Sequence, residues 1–401
     1  STTRSSPGSA PAPRGDIPDR KTDPVGTFGK IVGAASVVTG AVGAVVVSGV
    51  TAQRRAVRRY RELTANPDIP YDTLTADRSY SVASADGLAL HVEEVGPADA
   101  ALTVVFAHGW TLRLGAWHYQ RIGLAGPGFG DPTAADTAPE ARLVFFDQRS
   151  HGSSGRAGAG RSTMVAVAED LAAVIGTATP TGPVVIVGHS LGGMGLMGLA
   201  AADPELFHQR VAGVALIDSS ARYGIEKGSR APLLGGNPLV RAVTATASRY
   251  PRLFERGRPV TREAVWLLTR SFGFAGRDVP AHLVDYVDGM ISSTPVHVIA
   301  DFLPVIIDHD VTAGLPVLAE LPAVVICGEG DKITPPIQSR ALAAALPLAE
   351  LTIVPGAGHN VMLEQPEVTN TALRELLRRA DVRAAALRSS GRKAGARWRK
   401  T

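Results

Sequence analysis

The segment Gly188-His189-Ser190-Leu191-Gly192 fits the pattern G-x-S-x-G. It follows the apolar run 184–187 and precedes a stretch with Gly193 and Gly195 near its start. A sharp strand-to-helix turn at such a place lifts a serine hydroxyl clear of a sheet, and the flanking glycines let the backbone cross itself. A serine hydroxyl is a poor nucleophile until a base takes its proton. Among the ten histidines, the candidate base is His359, in the glycine-rich Pro355-Gly356-Ala357-Gly358-His359 just past a late apolar run. His91, His208, His282 and His297 fall on strand-like, helix-like or connecting segments. An acid that orients the base should end a strand and precede the histidine in the chain. Asp331, in Gly328-Glu329-Gly330-Asp331-Lys332, meets both conditions; Asp218 meets them too and stands as the alternative acid, with Glu329 behind it. An oxyanion would need two preorganised N–H groups. The candidates are the backbone N–H of Leu191, at a helix start, and that of Trp110, in His108-Gly109-Trp110. The Trp110 indole reads as a pocket wall.

These residues need a scaffold, and the pattern around them supplies one. Residues 80–83 and 88–95 read as two strands joined at Asp86-Gly87, a hairpin dipeptide. The runs 102–107, 143–146, 184–187, 211–217, 323–327 and 351–354 are short and apolar, as strands buried on both faces of a sheet are. Helical patterns at 117–122, 162–175, 191–202, 338–345 and 366–379 fall between and after them. Alternating strands and helices predict a mostly parallel α/β sheet covered on both faces. Between Asp218 and Ala323 the alternation stops, and helical patterns at 262–272 and 281–290 predict a helical insertion above the strand ends.

At this point the chain resembles the α/β-hydrolase superfamily, in particular its large group with a GHSLGG elbow. The residues that carry the resemblance are His108-Gly109-Trp110, Asp147-Gln148-Arg149-Ser150-His151-Gly152-Ser153-Ser154, Gly188 to Gly193, Gly328 to Pro335, and Gly358-His359. They occur in the family's order within about residues 80–380. Ser150 stands where the family's D-x-R-G-H-G-x-S pattern has its first glycine. The resemblance implies an eight-stranded sheet, a helical cap and cofactor-free, metal-free hydrolysis of an ester through an acyl-enzyme intermediate. Ser190 would be the nucleophile, with a carboxylesterase- or lipase-like substrate. C–C hydrolysis, thioesterase or acyltransfer chemistry and cofactor-free haloperoxidase-type perhydrolysis are alternatives within the fold, which cannot rank them. A non-catalytic, membrane-tethered binding protein is the competing class; it would be marked by a lost triad member, and none is lost.

The expected organisation is a disordered tail at 1–25, an apolar segment with a basic flank at 26–62, and a hydrolase core at 75–219 and 316–380. The core is interrupted by a cap at 220–315 and followed by a basic tail at 381–401. Residues 31–53 contain no charged side chain and are long enough to cross a bilayer. Arg54, Arg55, Arg58, Arg59 and Arg61 follow at once, so a retained anchor with the catalytic domain facing the cytoplasm is expected, export being the alternative. Such basic clusters suit anionic headgroups. The formal charge is +4, and no nucleic-acid reader motif accompanies the arginines. The single cysteine, Cys327, excludes an intrachain disulfide. With 45% hydrophobic residues the chain can bury a large core, and the apolar cap and anchor point to a lipophilic small-molecule substrate. Oligomeric state has no signature here.

Overall fold

Runs that are apolar at every position become strands buried on both faces. In the computed structural model the described residues are 51–64, 69–125, 141–158, 160–222, 246, 249–276 and 278–398. By contacts the chain divides into Ser1–Ala52, of which only Thr51 and Ala52 are described, both helical, and Gln53–Thr401, which holds everything below. The strands are β1 (Arg78–Ala83), β2 (Ala89–Val95), β3 (Leu102–Ala107), β4 (Ala141–Phe146), β5 (Val184–His189), β6 (Val211–Ile217), β7 (Ala323–Gly328) and β8 (Ala349–Val354). They form one sheet of order β1-β2-β4-β3-β5-β6-β7-β8. β2 pairs antiparallel with β1 and β4, and the remaining pairs are parallel. β3, β5, β6 and β7 are buried at every residue, the mark of central parallel strands. The β1–β2 hairpin turns where Asp86-Gly87 foretold, with Gly87 at φ +81°.

The helices of two turns or more are α1 (53–63), α2 (His118–Leu124), α3 (Met164–Ala178), α4 (Leu191–Ala202), α5 (Pro204–Arg210), α6 (Pro251–Gly273), α7 (Ala281–Ser293), α8 (Val296–Ile307), α9 (Pro336–Ala345) and α10 (Pro366–Trp398). α3, α4, α5 and α9 cover one sheet face through Leu171, Leu196, Phe207 and Leu342; α2 and α10 cover the other through Leu124, Leu373 and Leu376. Thr163 caps α3 by accepting the Ala166 N–H, and Asp203 caps α5 by accepting that of Leu206.

α6 to α8 form the insertion between β6 and β7 and cap the strand ends. α7 packs on α6, where the Trp266 Nε1–H donates to Asp285 at 2.6 Å, and α8 leaves α7 at 97°. The basic flank expected of an anchor is α1, and its inner side docks on this cap. Val57 is buried, the Tyr60 hydroxyl donates to the Val279 carbonyl, and Arg61 reaches Asp285 at 2.6 Å. The last helix runs past Arg379, where the expected helix ended, as far as Trp398. Residues 1–25 and 31–50 lie outside the described residues. Among the described residues no single helix is long and apolar enough to cross a membrane.

Candidate active site

Ser190 sits between the end of β5 and the first turn of α4, with φ +50° and ψ −116°, a strained conformation for a residue with a side chain. Gly192 makes the turn possible, because a Cβ there would run into the Ala107 carbonyl of β3. The Ser190 N–H bonds the Ile217 carbonyl, and the Ser219 hydroxyl bonds the Ser190 carbonyl at 2.8 Å, so β6 holds the elbow from the side.

The loop after β8 brings His359 to this serine, with Nε2 3.1 Å from Ser190 Oγ. The other ring nitrogen donates to Asp331 Oδ2 at 2.9 Å. Asp331, in the loop after β7, is held in turn by the Thr334 hydroxyl on Oδ2 at 2.7 Å and by the Ile333 and Thr334 N–H groups on Oδ1. Burial alone would raise its carboxyl. The charge of His359 and these hydrogen bonds outweigh burial and hold it below the usual carboxylate range. Ser190, His359 and Asp331 are thus brought into one hydrogen-bonded line. Asp218 lies beside this line; its oxygens accept the N–H groups of Gly328 and Val361 at 2.9 and 3.2 Å. Glu329 is on the exposed side of the β7 loop.

Leu191 is the first residue of α4 and fully buried, so its N–H is one of the unpaired donors of a helix start. Trp110 lies in the loop after β3, and Thr111 behind it turns the chain with φ +62°. Among the described residues neither the Trp110 nor the Leu191 N–H is taken up by another group. Two buried histidines lock this loop to the one after β4. His108 accepts the Gln148 N–H on Nε2 and donates from Nδ1 to the Gly109 carbonyl; His151 accepts the Thr111 N–H and donates to the Arg149 carbonyl. Burial drives both imidazoles down, to about 4 and about 3, so they stay neutral with fixed tautomers. Arg149, sealed inside, clamps Asp170 of α3 through two bonds of 2.7 and 2.8 Å. The D-x-R stretch is therefore a structural brace.

The cap closes the site from two sides. Val298 and Phe302 of α8 pack on Leu191, Met194 and Trp110, and Phe302 presents its ring to the edge of His151 at 5.3 Å. The end of α6 is pinned to the base loop, with the Asn360 side chain donating to the Gly273 carbonyl and Glu364 accepting the N–H groups of Ala275 and Gly358. Under this roof Ser190 and His359 are each only 7% exposed.

Sequence reasoning missed Thr334, Ser219, His189, Glu364 and Phe302. Thr334 carries a weak signal, since an aspartate that accepts the N–H two residues on, as Asp331 does from Ile333, brings the next residue beside its carboxylate. Partners such as Ser219 and Glu364 come from remote strands and carry none. His189 donates its Nε2–H to the His359 carbonyl at 2.8 Å, and burial, with His359 next to it, pushes its imidazole down to about 3. His189, Asp218 and His359, or Asp218, Cys327 and Asp331, stand close enough together to hold a metal ion. His359 and both carboxylates are already engaged with one another, with Ser190 or with backbone N–H groups, so an ion there would have to break the hydrogen-bonded line.

The match to known proteins agrees with this geometry. Residues 104–372 match the model of the alpha/beta hydrolase family. An esterase from Thermogutta terrifontis superposes with a TM-score of 0.58 at 26% identity, covering 76% of this chain and 99% of that one. An esterase from Exiguobacterium antarcticum gives 0.58 at 18% identity, covering 75% and 99%. A bromoperoxidase from Bacillus anthracis gives 0.59 at 18%, again covering 75% and 99%. With its elbow, its eight-stranded sheet and a family match that spans the core and the cap, the chain belongs to the alpha/beta hydrolase family.

Proposed function

We propose that the protein is a serine carboxylesterase acting on a lipophilic ester. The observation that carries this reading is the line from Ser190 Oγ through His359 to Asp331, with contacts of 3.1 and 2.9 Å. His359 Nε2 takes the Ser190 proton as the oxygen attacks the ester carbonyl, and Asp331 keeps Nδ1 protonated and steadies the imidazolium. The tetrahedral oxyanion is met by the N–H groups of Trp110 and Leu191; one such donor is worth about 10²–10³ in rate. Collapse expels the alcohol, which takes its proton from His359. Water then attacks the acyl-enzyme with His359 again as base, and the acid leaves. Trp110, backed by the buried Val298 and Phe302, offers an apolar wall to the acyl chain. In this reading residues 31–53 anchor the protein to a membrane, with the catalytic domain on the cytoplasmic side.

The test uses the full chain, a fluorophosphonate probe and a series of p-nitrophenyl esters of rising acyl length. Ser190→Ala should abolish labelling and lower kcat by about a million-fold, and wild-type turnover should peak at one chain length. Labelling that survives in Ser190→Ala would place the nucleophile elsewhere.

A further inference from the structure

We propose that Asp218 is a positioning residue for the base: it ties the loops of Asp331 and His359 to the end of β6 and shares with Asp331 a single negative charge behind His359. The proposal rests on the reading of Ser190, His359 and Asp331 as the triad.

Three observations on Asp218 converge. It is fully buried, with 0% exposure, and among the described residues no cation pairs with it; a carboxyl so placed is expensive unless it is satisfied or neutral. Its backbone stands at φ +43°, a left-handed conformation that an aspartate adopts at a cost of about 1–3 kcal/mol. Its two oxygens each take one N–H, and these come from the two loops that must be held in register: Gly328, three residues before Asp331, and Val361, two after His359. The same short stretch also fixes the elbow, through the Ile217 carbonyl and the Ser219 hydroxyl. Residues 217–219 therefore touch all three parts of the candidate site.

The charge distribution follows from the neighbours. The titratable groups that face Asp218 are Asp331 and Cys327 from β7 and its loop, His359 from the loop after β8, and His189 from β5. An Asp218 oxygen and one ring nitrogen each of His189 and His359 lie within 4.8 Å of one another, and so do the reactive atoms of Asp218, Cys327 and Asp331. Two carboxyls this close in a buried site do not both ionise. Burial and the charge of Asp331 push Asp218 well above the usual range, so Asp331 bears the charge and Asp218 the proton. Neutralising Asp331 removes the like charge that adds to burial in keeping Asp218 protonated. Asp218 then ionises and supplies the negative charge next to His359.

The experiment compares Asp331→Asn with Asp331→Asn/Asp218→Asn in the full chain, beside Ser190→Ala. Asp331→Asn should lower kcat by about 10²-fold and the double variant by about 10⁴-fold, the loss expected when a triad has no acid. A carboxylate near an imidazole raises its pKa, so the acid limb of kcat/KM should fall about one pH unit lower in the double variant. A purely structural Asp218 would not move that limb. Equal rates and coincident limbs in the two variants overturn the proposal. If Ser190→Ala and Asp331→Asn both stay active, it is the triad reading that fails. Should the double variant not fold, infrared difference spectra of wild type and Asp331→Asn at pH 7 decide. A protonated-carboxyl band that disappears in Asp331→Asn supports the shared charge, and a flat difference spectrum overturns it.

Discussion

At the scale of single residues, the departure at Ser150 is the clearest case of a local rule broken and compensated. Its backbone lies at φ +67°, where glycine is at ease and a side chain is not. In return its hydroxyl accepts the Ala157 N–H at 2.9 Å, and its N–H bonds the Gly155 carbonyl. The strain and the hydroxyl bond are each worth about 1 kcal/mol and oppose one another. Ser150→Gly removes both and should leave the urea midpoint near wild type. Ser150→Ala keeps the strain and loses the bond, so it should be destabilised by about 1 kcal/mol; Ser150→Val, stiffer at χ1, should be worse. An alanine variant as stable as wild type would remove the hydroxyl bond from this account. The same scale separates the two candidate acids. Both end a strand and both precede His359, which is all a linear reading can weigh. What differs is where each carboxyl points, and in three dimensions Asp331 takes the imidazole while Asp218 takes backbone N–H groups.

At the scale of elements, α10 turns a run of charge into part of the frame. Its arginines reach the carbonyls where strands begin. Arg379 donates to Ala323 of β7 and to Leu348 before β8, Arg383 to Val211 of β6, and Arg388 to Ala101 before β3. Those carbonyls lie at the edge of the sheet opposite the candidate site, and a guanidinium serves them better than an ammonium because it offers several donors in a fixed plane. Arg383→Ala should lower stability by about 1–2 kcal/mol and leave kcat unchanged below the transition, with Arg383→Lys recovering part of the loss. Full stability in Arg383→Ala would show a solvated side chain instead. This also explains what a linear reading could and could not see. The strands were legible because a strand buried on both faces must be apolar throughout. α10 was legible only to Arg379, because beyond it Ala380, Ala384 and Leu387 are thinly spaced among arginines such as Arg383 and Arg388, whose partners lie on β6 and just before β3. α8 was hidden by Pro304 within it and Pro295 before it, residues that usually punctuate a helix.

At the scale of the whole molecule, the described residues enclose the candidate site by tying the cap down at several points. α1 holds α6 and α7 through Tyr60, which packs edge-on to Trp266 with centroids 5.5 Å apart and takes a bond from Arg270. Tyr71 stacks on Tyr286 of α7 with centroids 4.0 Å apart, and Tyr286 also donates to the Gly115 carbonyl of the core. The end of α6 is pinned to the base loop through Asn360. The residues expected to serve only as a basic flank therefore also act as a strap. Arg54 and Arg61 are turned to Glu263 and Asp285, and Arg55, Arg58 and Arg59 stay exposed. A cap held this way should unfold with the core as long as the strap is present. Removing residues up to Leu63 deletes Val57 and Tyr60, whose burial contributes about 3–5 kcal/mol, and frees the Trp266–Asp285 corner. In a chain beginning at Thr64, amide hydrogen exchange should accelerate across residues 262–293 while β3, β5 and β6 stay protected, and KM for long-chain esters should rise more than kcat falls. Exchange that quickens equally in cap and sheet would mean that α1 supports the whole fold. Exchange unchanged in both would mean that the cap is held by Asn360 and Tyr71 alone.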